Sequence, residues 1–263
     1  MTPLRIFSYL PNPRVFKALI AAELCNVPLE VVGDRPASLA GWLWDYDARE
    51  LSADEQTPQS AHARISQRGF KGTLYKTDAF LRSQPFGTVP CAFSPGGKVG
   101  IFESNSILRA VVRQAEQPHS LYGTDAYSAS RIDSFLDASL VFAREAQVYL
   151  LAISDMQQET CTRMASAYEF YLQGVENALQ HTSHLADDYL SIADIAFVCD
   201  LAQFLREAHY TEALHQSGFT VISAEALQQY PLALTHMLAL SETAPFRKHM
   251  GSYLDWYKRE HNL

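Results

Sequence analysis

The chain has 263 residues, of which 48% are hydrophobic and 19% charged, a composition typical of a soluble protein with a sizeable core. The net charge of -8 argues against a surface that binds nucleic acid or an anionic membrane. No apolar run approaches the about 18 residues of a membrane span, and residues 1–24 lack the apolar segment of a secretory signal. The widely spaced Cys25, Cys91, Cys161 and Cys199 predict free thiols in a reducing compartment, the cytoplasm.

The first part of the chain predicts a strand, a helix and a second strand. Residues 4–10 are a short β-rich run that ends in a proline, and residues 13–26 carry apolar side chains at helical spacing. Pro13 suits the first turn of this helix, because the N–H that proline lacks has no partner there. Residues 28–32 predict the second strand, so the segment is a βαβ unit with a parallel strand pair.

Residues 33–72 interrupt this pattern. The segment is polar and has little periodicity, which predicts a long loop or irregular insertion in which Trp42 and Trp44 are buried. Beyond it, residues 77–87 have the length of one or two helical turns.

Two apolar runs, residues 89–93 and 98–102, flank the turn sequence SPGG, which predicts an antiparallel hairpin. Residues 104–115 follow with helical spacing. The order is therefore β-α-β, a connection, and β-β-α, which is the order of a thioredoxin-like domain. We predict an α/β thioredoxin-like N-terminal domain over residues 1–115.

Residues 116–123 predict a linker, after which strand signals largely cease. The helical patterns beyond it cover residues 127–153, 157–179, 191–209, 223–229 and 231–240. We therefore predict an all-α C-terminal helical bundle over residues 124–263.

Pro90 removes a ladder hydrogen bond from the start of a predicted strand, so it belongs at an edge or a bend. Similarity to thioredoxin-like domains implies a cis bond here, which turns the N–H and C=O of Val89 outward. These groups would then pair with the backbone of a bound peptide, as an added strand does. The alternative is an edge-strand proline with a structural role alone.

Glu103 and Ser104 lie where the last predicted strand ends and a helix begins. Ser104 is a good N-cap residue, and the first helical turn offers free N–H groups and the positive end of a dipole to a carboxylate. Glu103 would meet an ammonium group. The pair therefore suits the α-carboxylate and α-ammonium of an amino acid, and simple helix capping is the alternative.

A backbone-pairing proline and an amino-acid clamp together describe a glutathione site. The segments "FKALIAAEL", "FLRSQPFGTVPCAF", "FESNSI" and "YLSIADIAFVCDL" resemble the glutathione transferase superfamily. Within it they resemble the transferase-like region of the gamma subunit of elongation factor 1 and bacterial or fungal transferases related to it. The resemblance implies glutathione as co-substrate, a homodimer, and glutathione binding by Thr88, Val89, Pro90, Glu103 and Ser104.

The resemblance also implies two structural points. Ser191 and Asp194, in "SIAD", match the capping box that begins a core helix in this family. In most relatives a short helix that follows the second strand adds a polar contact to glutathione. Here some thirty extra residues intervene within 33–72, so no glutathione contact is assigned to this segment.

Transferases of this superfamily stabilise the glutathione thiolate with a hydrogen bond from a residue at the end of the first strand or in the following turn. In "SYLPNPR" the candidates are Asn12 and Ser8, followed by Tyr9 and Arg14; the alternative is that none of the four is catalytic. The turn has no cysteine and the chain has no C-x-x-C, which argues against a disulfide oxidoreductase.

The function implied by the resemblance is a glutathione transferase. Its thiolate would conjugate, or reductively cleave, an apolar small-molecule electrophile, with ether cleavage among the candidate reactions. The alternative is a non-catalytic scaffold like the elongation factor subunit. That subunit has a further C-terminal domain, and this chain ends after the helical part, so we favour the enzyme.

We expect no metal site, because His181 and His184 have no matching acidic cluster.

Overall fold

A computed structural model describes residues 3–66, 69–70, 72–117 and 119–261. The chain divides into two compact units, Met1–Ala115 and Glu116–Leu263. The first unit contains two small sheets and three α-helices, and the second is helical throughout its described residues. This confirms the predicted fold class, an α/β domain followed by a helical one.

The elements of the first unit alternate between strands and helices. In chain order they are β1 (Leu4–Phe7), α1 (Pro13–Cys25), β2 (Leu29–Val32), β3 (Trp42–Trp44), β4 (Arg49–Glu50), β5 (Ala63–Ile65), β6 (Thr73–Lys76), α2 (Asp78–Ser83), β7 (Cys91–Phe93), β8 (Gly100–Phe102) and α3 (Ser104–Val112). The main sheet has the order β2-β1-β7-β8. Strands β1 and β2 pair in parallel, and β7 pairs antiparallel with both β1 and β8, as the βαβ unit and the hairpin predicted.

Helix α1 begins and ends at residues whose local chemistry explains the boundaries. The Asn12 side chain accepts a hydrogen bond from the Arg14 N–H, and Pro13 occupies the first turn. Asn26 ends the helix in the left-handed conformation, at φ 52°.

The structure corrects the prediction for residues 33–72, which do not form an irregular loop. Together with β6, the segment forms a second sheet with the order β4-β3-β6-β5, which we call the inserted sheet. Its strands have two to four residues each, too few for an alternating pattern to show in the sequence. Trp44 is buried as predicted, whereas Trp42 is only partly buried, and residues 67, 68 and 71 lie outside the described part.

An aromatic cluster packs the inserted sheet and α2 against the main sheet. Phe7 lies edge-on to Trp44, with ring centroids 5.5 Å apart, and Trp44 lies edge-on to Phe80 at 5.9 Å. The buried members of the cluster are Phe7, Leu39, Trp44, Leu74, Phe80, Cys91 and Phe93. The two sheets of the first unit therefore share one core.

The second unit is a set of helices, with bounds close to those predicted for most of them. They are α4 (Ala126–Ala152), α5 (Gln158–Leu179), α6 (Ile192–Leu205), α7 (Thr211–Gln216), α8 (Ala226–Gln229), α9 (Pro231–Ser241) and α10 (Ala244–Glu260). The pattern over residues 191–209 ends as an α-helix at Leu205 and continues as a 3-10 turn. Helices α7 and α10 were not among the predicted helices, and α7 has only six residues.

Helix α6 is the buried centre of the second unit, and a capping box fixes its start. The Asp194 carboxylate is fully buried and accepts hydrogen bonds from the N–H groups of Ser191 and Leu185, both at 2.9 Å. His236 Nε2, on α9, lies 2.8 Å from the same carboxylate. Asp194 therefore joins the start of α6 to the preceding loop and to α9.

We expect Asp194→Ala to lower the free energy of unfolding by about 3 kcal/mol, because it removes a cap and leaves buried N–H groups unpaired. Urea denaturation measures this loss. Asp125→Ala is the matched control, since Asp125 forms the capping box of α4 at an exposed position and should cost less. Equal losses in the two variants would contradict the central role of Asp194.

Candidate functional site

The Val89–Pro90 peptide bond is cis. Pro90 is buried and immediately precedes β7, which lies between β1 and β8 in the main sheet. Pro90 therefore adjoins an inner strand and not an edge strand. Within the described residues, neither the N–H nor the C=O of Val89 has a hydrogen-bond partner. Both groups are available to a ligand backbone.

Glu103 is the N-cap residue of α3, with φ 64° and ψ 126°. A side chain other than glycine is strained in this region, and such strain is concentrated at ligand-binding and catalytic positions. The Glu103 side chain is exposed, and its carbonyl oxygen accepts the helical hydrogen bond from Ile107 N–H at 3.0 Å. The structure corrects the prediction that Ser104 is the N-cap, because Ser104 is already the first residue of the helix.

The hairpin register brings these two features to the same end of the sheet. Cys91, the first residue of β7, pairs with Phe102, the last residue of β8. The segment that leads into β7 and the segment that leaves β8 are therefore neighbours. Val89 and Glu103 are fourteen positions apart in the sequence. They lie next to each other beyond the same end of the paired strands β7 and β8.

A buried lysine lies beneath the first turn of α3. Lys17 on α1 is 1% exposed, and its Nζ donates to Asn105 Oδ1 at 2.9 Å and to Ser104 Oγ at 3.4 Å. Sequence reasoning missed this residue. The available signal was a single lysine within the apolar face of a helix, between Phe16 and Ala18.

The four candidates for the thiol end lie in different environments. Ser8 and Asn12 are fully buried and bonded to each other, with Asn12 Nδ2 3.0 Å from Ser8 Oγ. Asn12 Oδ1 also caps α1, so the contacts of its amide group are internal. Arg14 is partly buried and has contacts of its own.

Tyr9 lies just beyond the end of β1, is partly buried and packs against the aromatic cluster. Its hydroxyl has no hydrogen-bond partner within the described residues. Burial raises the pKa of Tyr9, and the charge of Arg14 opposes the shift. The group is thus a protonated O–H donor at neutral pH.

The buried Cys91 next to Pro90 adds no reactive group. Burial raises the pKa of the Cys91 thiol to about 12, so Cys91 is protonated and inert. His184 packs edge-on to His236, with ring centroids 5.4 Å apart. In the described part of the chain, no cluster of three or more His, Cys, Asp or Glu side chains could hold a metal. No helix there is long and apolar enough to cross a membrane.

Comparison with known proteins finds relatives of two kinds, although no family model matches the chain. The glutathione S-transferase-like protein LUC7 of Fusarium sp is 25% identical over 195 residues, 73% of each chain. Elongation factor 1-gamma of Artemia salina is 26% identical over 200 residues, 75% of this chain. A probable elongation factor 1-gamma of Arabidopsis thaliana is 30% identical over 203 residues. The chain spans only 37% and 39% of these two elongation factors.

Solved structures share the fold over nearly the whole chain. A glutathione S-transferase of Methylobacillus flagellatus with glutathione bound is 16% identical, with a TM-score of 0.63, and the match covers 94% of this chain and 98% of the other. An epsilon-class glutathione S-transferase of Musca domestica has the same TM-score and 16% identity, with 95% and 93% covered. The chain thus has the glutathione transferase fold and resembles the glutathione transferase superfamily in sequence, including the transferase-like region of elongation factor 1-gamma.

Proposed function

We propose that this chain is a glutathione transferase that uses the glutathione thiolate to conjugate, or reductively cleave, an apolar small-molecule electrophile. One observation carries the proposal: the hairpin register brings the unpaired backbone of Val89 and the strained Glu103 to the same end of the sheet. The two features are complementary to different parts of one small peptide.

The clamp follows from ordinary interaction chemistry. Val89 pairs with the main chain of the cysteinyl residue, as an added β-strand would, and the exposed Thr88 borders the same strand. The positive end of the α3 dipole, with the Ser104 hydroxyl, receives the α-carboxylate of the γ-glutamyl group. The Glu103 carboxylate meets the α-ammonium. Lys17 holds Ser104 and Asn105 in place from beneath.

The similar proteins support this choice of ligand. The Methylobacillus flagellatus enzyme has glutathione bound, and another transferase of the same fold, 17% identical to this chain, holds lactoylglutathione. Similarity to the transferase-like proteins of Fusarium extends the support to the sequence.

For the thiol end we place Tyr9 ahead of Asn12 and Ser8. An O–H donor without a competing partner can stabilise a thiolate, whereas Asn12 and Ser8 are buried and bonded to each other. Arg14 contributes positive charge near the same hydroxyl. Catalysis then consists of stabilising the thiolate and holding it beside the electrophile.

The second candidate function is a non-catalytic scaffold. Similarity to elongation factor 1-gamma, at 26% to 30% identity over 72% to 75% of the chain, supports it.

Either function suits a cytoplasmic homodimer. The cysteines at positions 25, 91, 161 and 199 are free thiols, as a reducing compartment favours.

Exposed apolar side chains on α4 and α5 are candidates for the dimer contact. Val141 is 63% exposed and Phe170 is 77% exposed. Each directly precedes a member of the stacked pair Phe142 and Tyr171, whose ring centroids lie 4.9 Å apart. Contiguous exposed apolar patches mark sites of protein–protein contact.

We expect Glu103→Gln and Ser104→Ala each to weaken glutathione binding about tenfold or more, because each removes a charge-assisted hydrogen bond. Isothermal titration calorimetry measures this, and Glu50→Gln, an exposed change on the inserted sheet, is the matched control. No binding heat and no retention on immobilised glutathione with the unmodified protein would refute the transferase. Co-purification with a translation-factor partner would then favour the scaffold.

Tyr9→Phe is expected to raise the thiol pKa of bound glutathione by about one unit and to lower kcat/KM near neutral pH about tenfold. Ultraviolet absorbance of the thiolate against pH measures the shift. Ser8→Ala is the comparison variant. A raised thiol pKa in Ser8→Ala with no change in Tyr9→Phe would transfer the role to Ser8.

Phe170→Glu should shift the protein from dimer to monomer, because a charge cannot be buried in an apolar contact without a partner. Sedimentation velocity measures the change, and Ser130→Glu, at an exposed polar position of α4, should leave the dimer intact. A monomer in the unmodified protein would contradict the dimer.

A further inference from the structure

The side chains of Gln84 and Lys76 donate hydrogen bonds to the segment that precedes the cis Pro90. Gln84 is fully buried, and its Nε2 donates to the Thr88 carbonyl oxygen at 3.0 Å and to the Thr88 hydroxyl at 2.8 Å. Its Oε1 accepts from the Phe86 N–H at 2.9 Å. Lys76 Nζ donates to the Gly87 carbonyl oxygen at 2.7 Å. Two consecutive carbonyl groups, of Gly87 and Thr88, are therefore engaged.

These contacts determine the direction of a ligand-binding group. The Thr88 carbonyl and the Val89 N–H belong to one trans peptide plane, so the N–H points away from the carbonyl. Fixing the carbonyl on Gln84 therefore directs the Val89 N–H outward. That N–H has no partner in the described part of the chain.

Lys76 connects this segment to the inserted sheet. It is the last residue of β6 and pairs in register with Trp44 on β3. Its Nζ lies 4.7 Å from the centroid of the buried Trp44 ring, whose Nε1 donates to the Leu39 carbonyl at 3.0 Å. Burial lowers the pKa of Lys76, and the amine donates to Gly87 in either protonation state.

Gly87 allows the lysine to approach. Its φ is +61°, a conformation that suits glycine. A Cβ there would lie 3.2 Å from Lys76 Nζ and 3.3 Å from Leu81 Cδ2, both tight contacts. The backbone conformation and the lysine contact therefore depend on the same residue.

We propose that Lys76 and Gln84 are positioning residues that direct the Val89 N–H toward the cysteinyl main chain of glutathione. The inserted sheet is then part of the ligand-binding apparatus through this positioning contact. This inference rests on the proposed glutathione-binding function. Since the Val89 pairing is made equally in the ground state and the transition state, its loss affects binding and not the chemical step.

Lys76→Met tests the proposal, because it keeps the aliphatic stem over Trp44 and removes the donor. We expect KM and Kd for glutathione to rise about tenfold, with kcat changed less than about twofold. Lys76→Arg, which keeps a donor, should recover most of the affinity. Arg64→Met is the matched control, since Arg64 is a cation of the same sheet that pairs with the exposed Asp78, and its KM should not change.

A second ligand separates positioning from direct contact. The glycine ethyl ester of glutathione lacks the glycine carboxylate but keeps the cysteinyl main chain, so a lysine that binds that carboxylate would lose its effect with this ligand. We expect the tenfold loss in Lys76→Met to persist with the ester. Its disappearance would overturn the proposal.

The remaining outcomes are also distinguishable. If the unmodified protein does not bind glutathione, the proposed function fails, and the positioning role fails with it. If it binds and Lys76→Met binds as tightly, the positioning role alone is wrong. Should Lys76→Met fail to fold, Gly87→Ala and Gln84→Met disturb the same two carbonyl contacts, and a folded variant of either with unchanged KM would overturn the proposal.

Discussion

The edge-to-face packing of Phe7, Trp44 and Phe80 is the interaction on which the first unit depends. It joins a strand of the main sheet, a strand of the inserted sheet and helix α2 in one core. Burying a large aromatic side chain stabilises a fold by about 2–3 kcal/mol, and shape-specific ring contacts add to this. Because the cluster holds β3 beside β6, it also holds Lys76 at the loop that precedes Pro90. Core packing and ligand geometry are therefore linked through one strand.

The candidate site is a product of strand register. Neither a cis proline nor a strained residue at a helix start indicates a ligand by itself. The pairing of Cys91 with Phe102 brings Val89 and Glu103 to the same end of the sheet. There the Val89 main chain and the Glu103 carboxylate form the proposed site for a peptide and its amino-acid end. A shift of one residue in this pairing would turn alternate side chains to the opposite face of the sheet. The short β-hairpin is thus as important to the proposed function as the residues that flank it.

Prediction from the sequence succeeded where the signal was local. Pro13 at a helix start, Ser191 and Asp194 in a capping box, and the turn between β7 and β8 are short motifs whose chemistry acts within a few residues. It failed for the inserted sheet, because strands of two to four residues leave no readable period. Ser104 was predicted to be the N-cap residue, but it is the first residue of α3, and Glu103 is the N-cap. A serine at a strand–helix junction resembles an N-cap until the backbone angles are known.

The sequence by itself determined the order of the main-sheet elements, the two-part organisation of strands followed by helices, and the residue types of the proposed glutathione clamp. Only the tertiary structure decided which groups are free to act. It paired Ser8 with Asn12 and placed Lys17 beneath α3 and Lys76 behind Gly87. Among the residues that the structure describes, it gave the Tyr9 hydroxyl no partner. The physical reason is that a hydrogen bond between distant residues depends on packing of the whole unit, whereas a cap or a turn depends on its immediate neighbours.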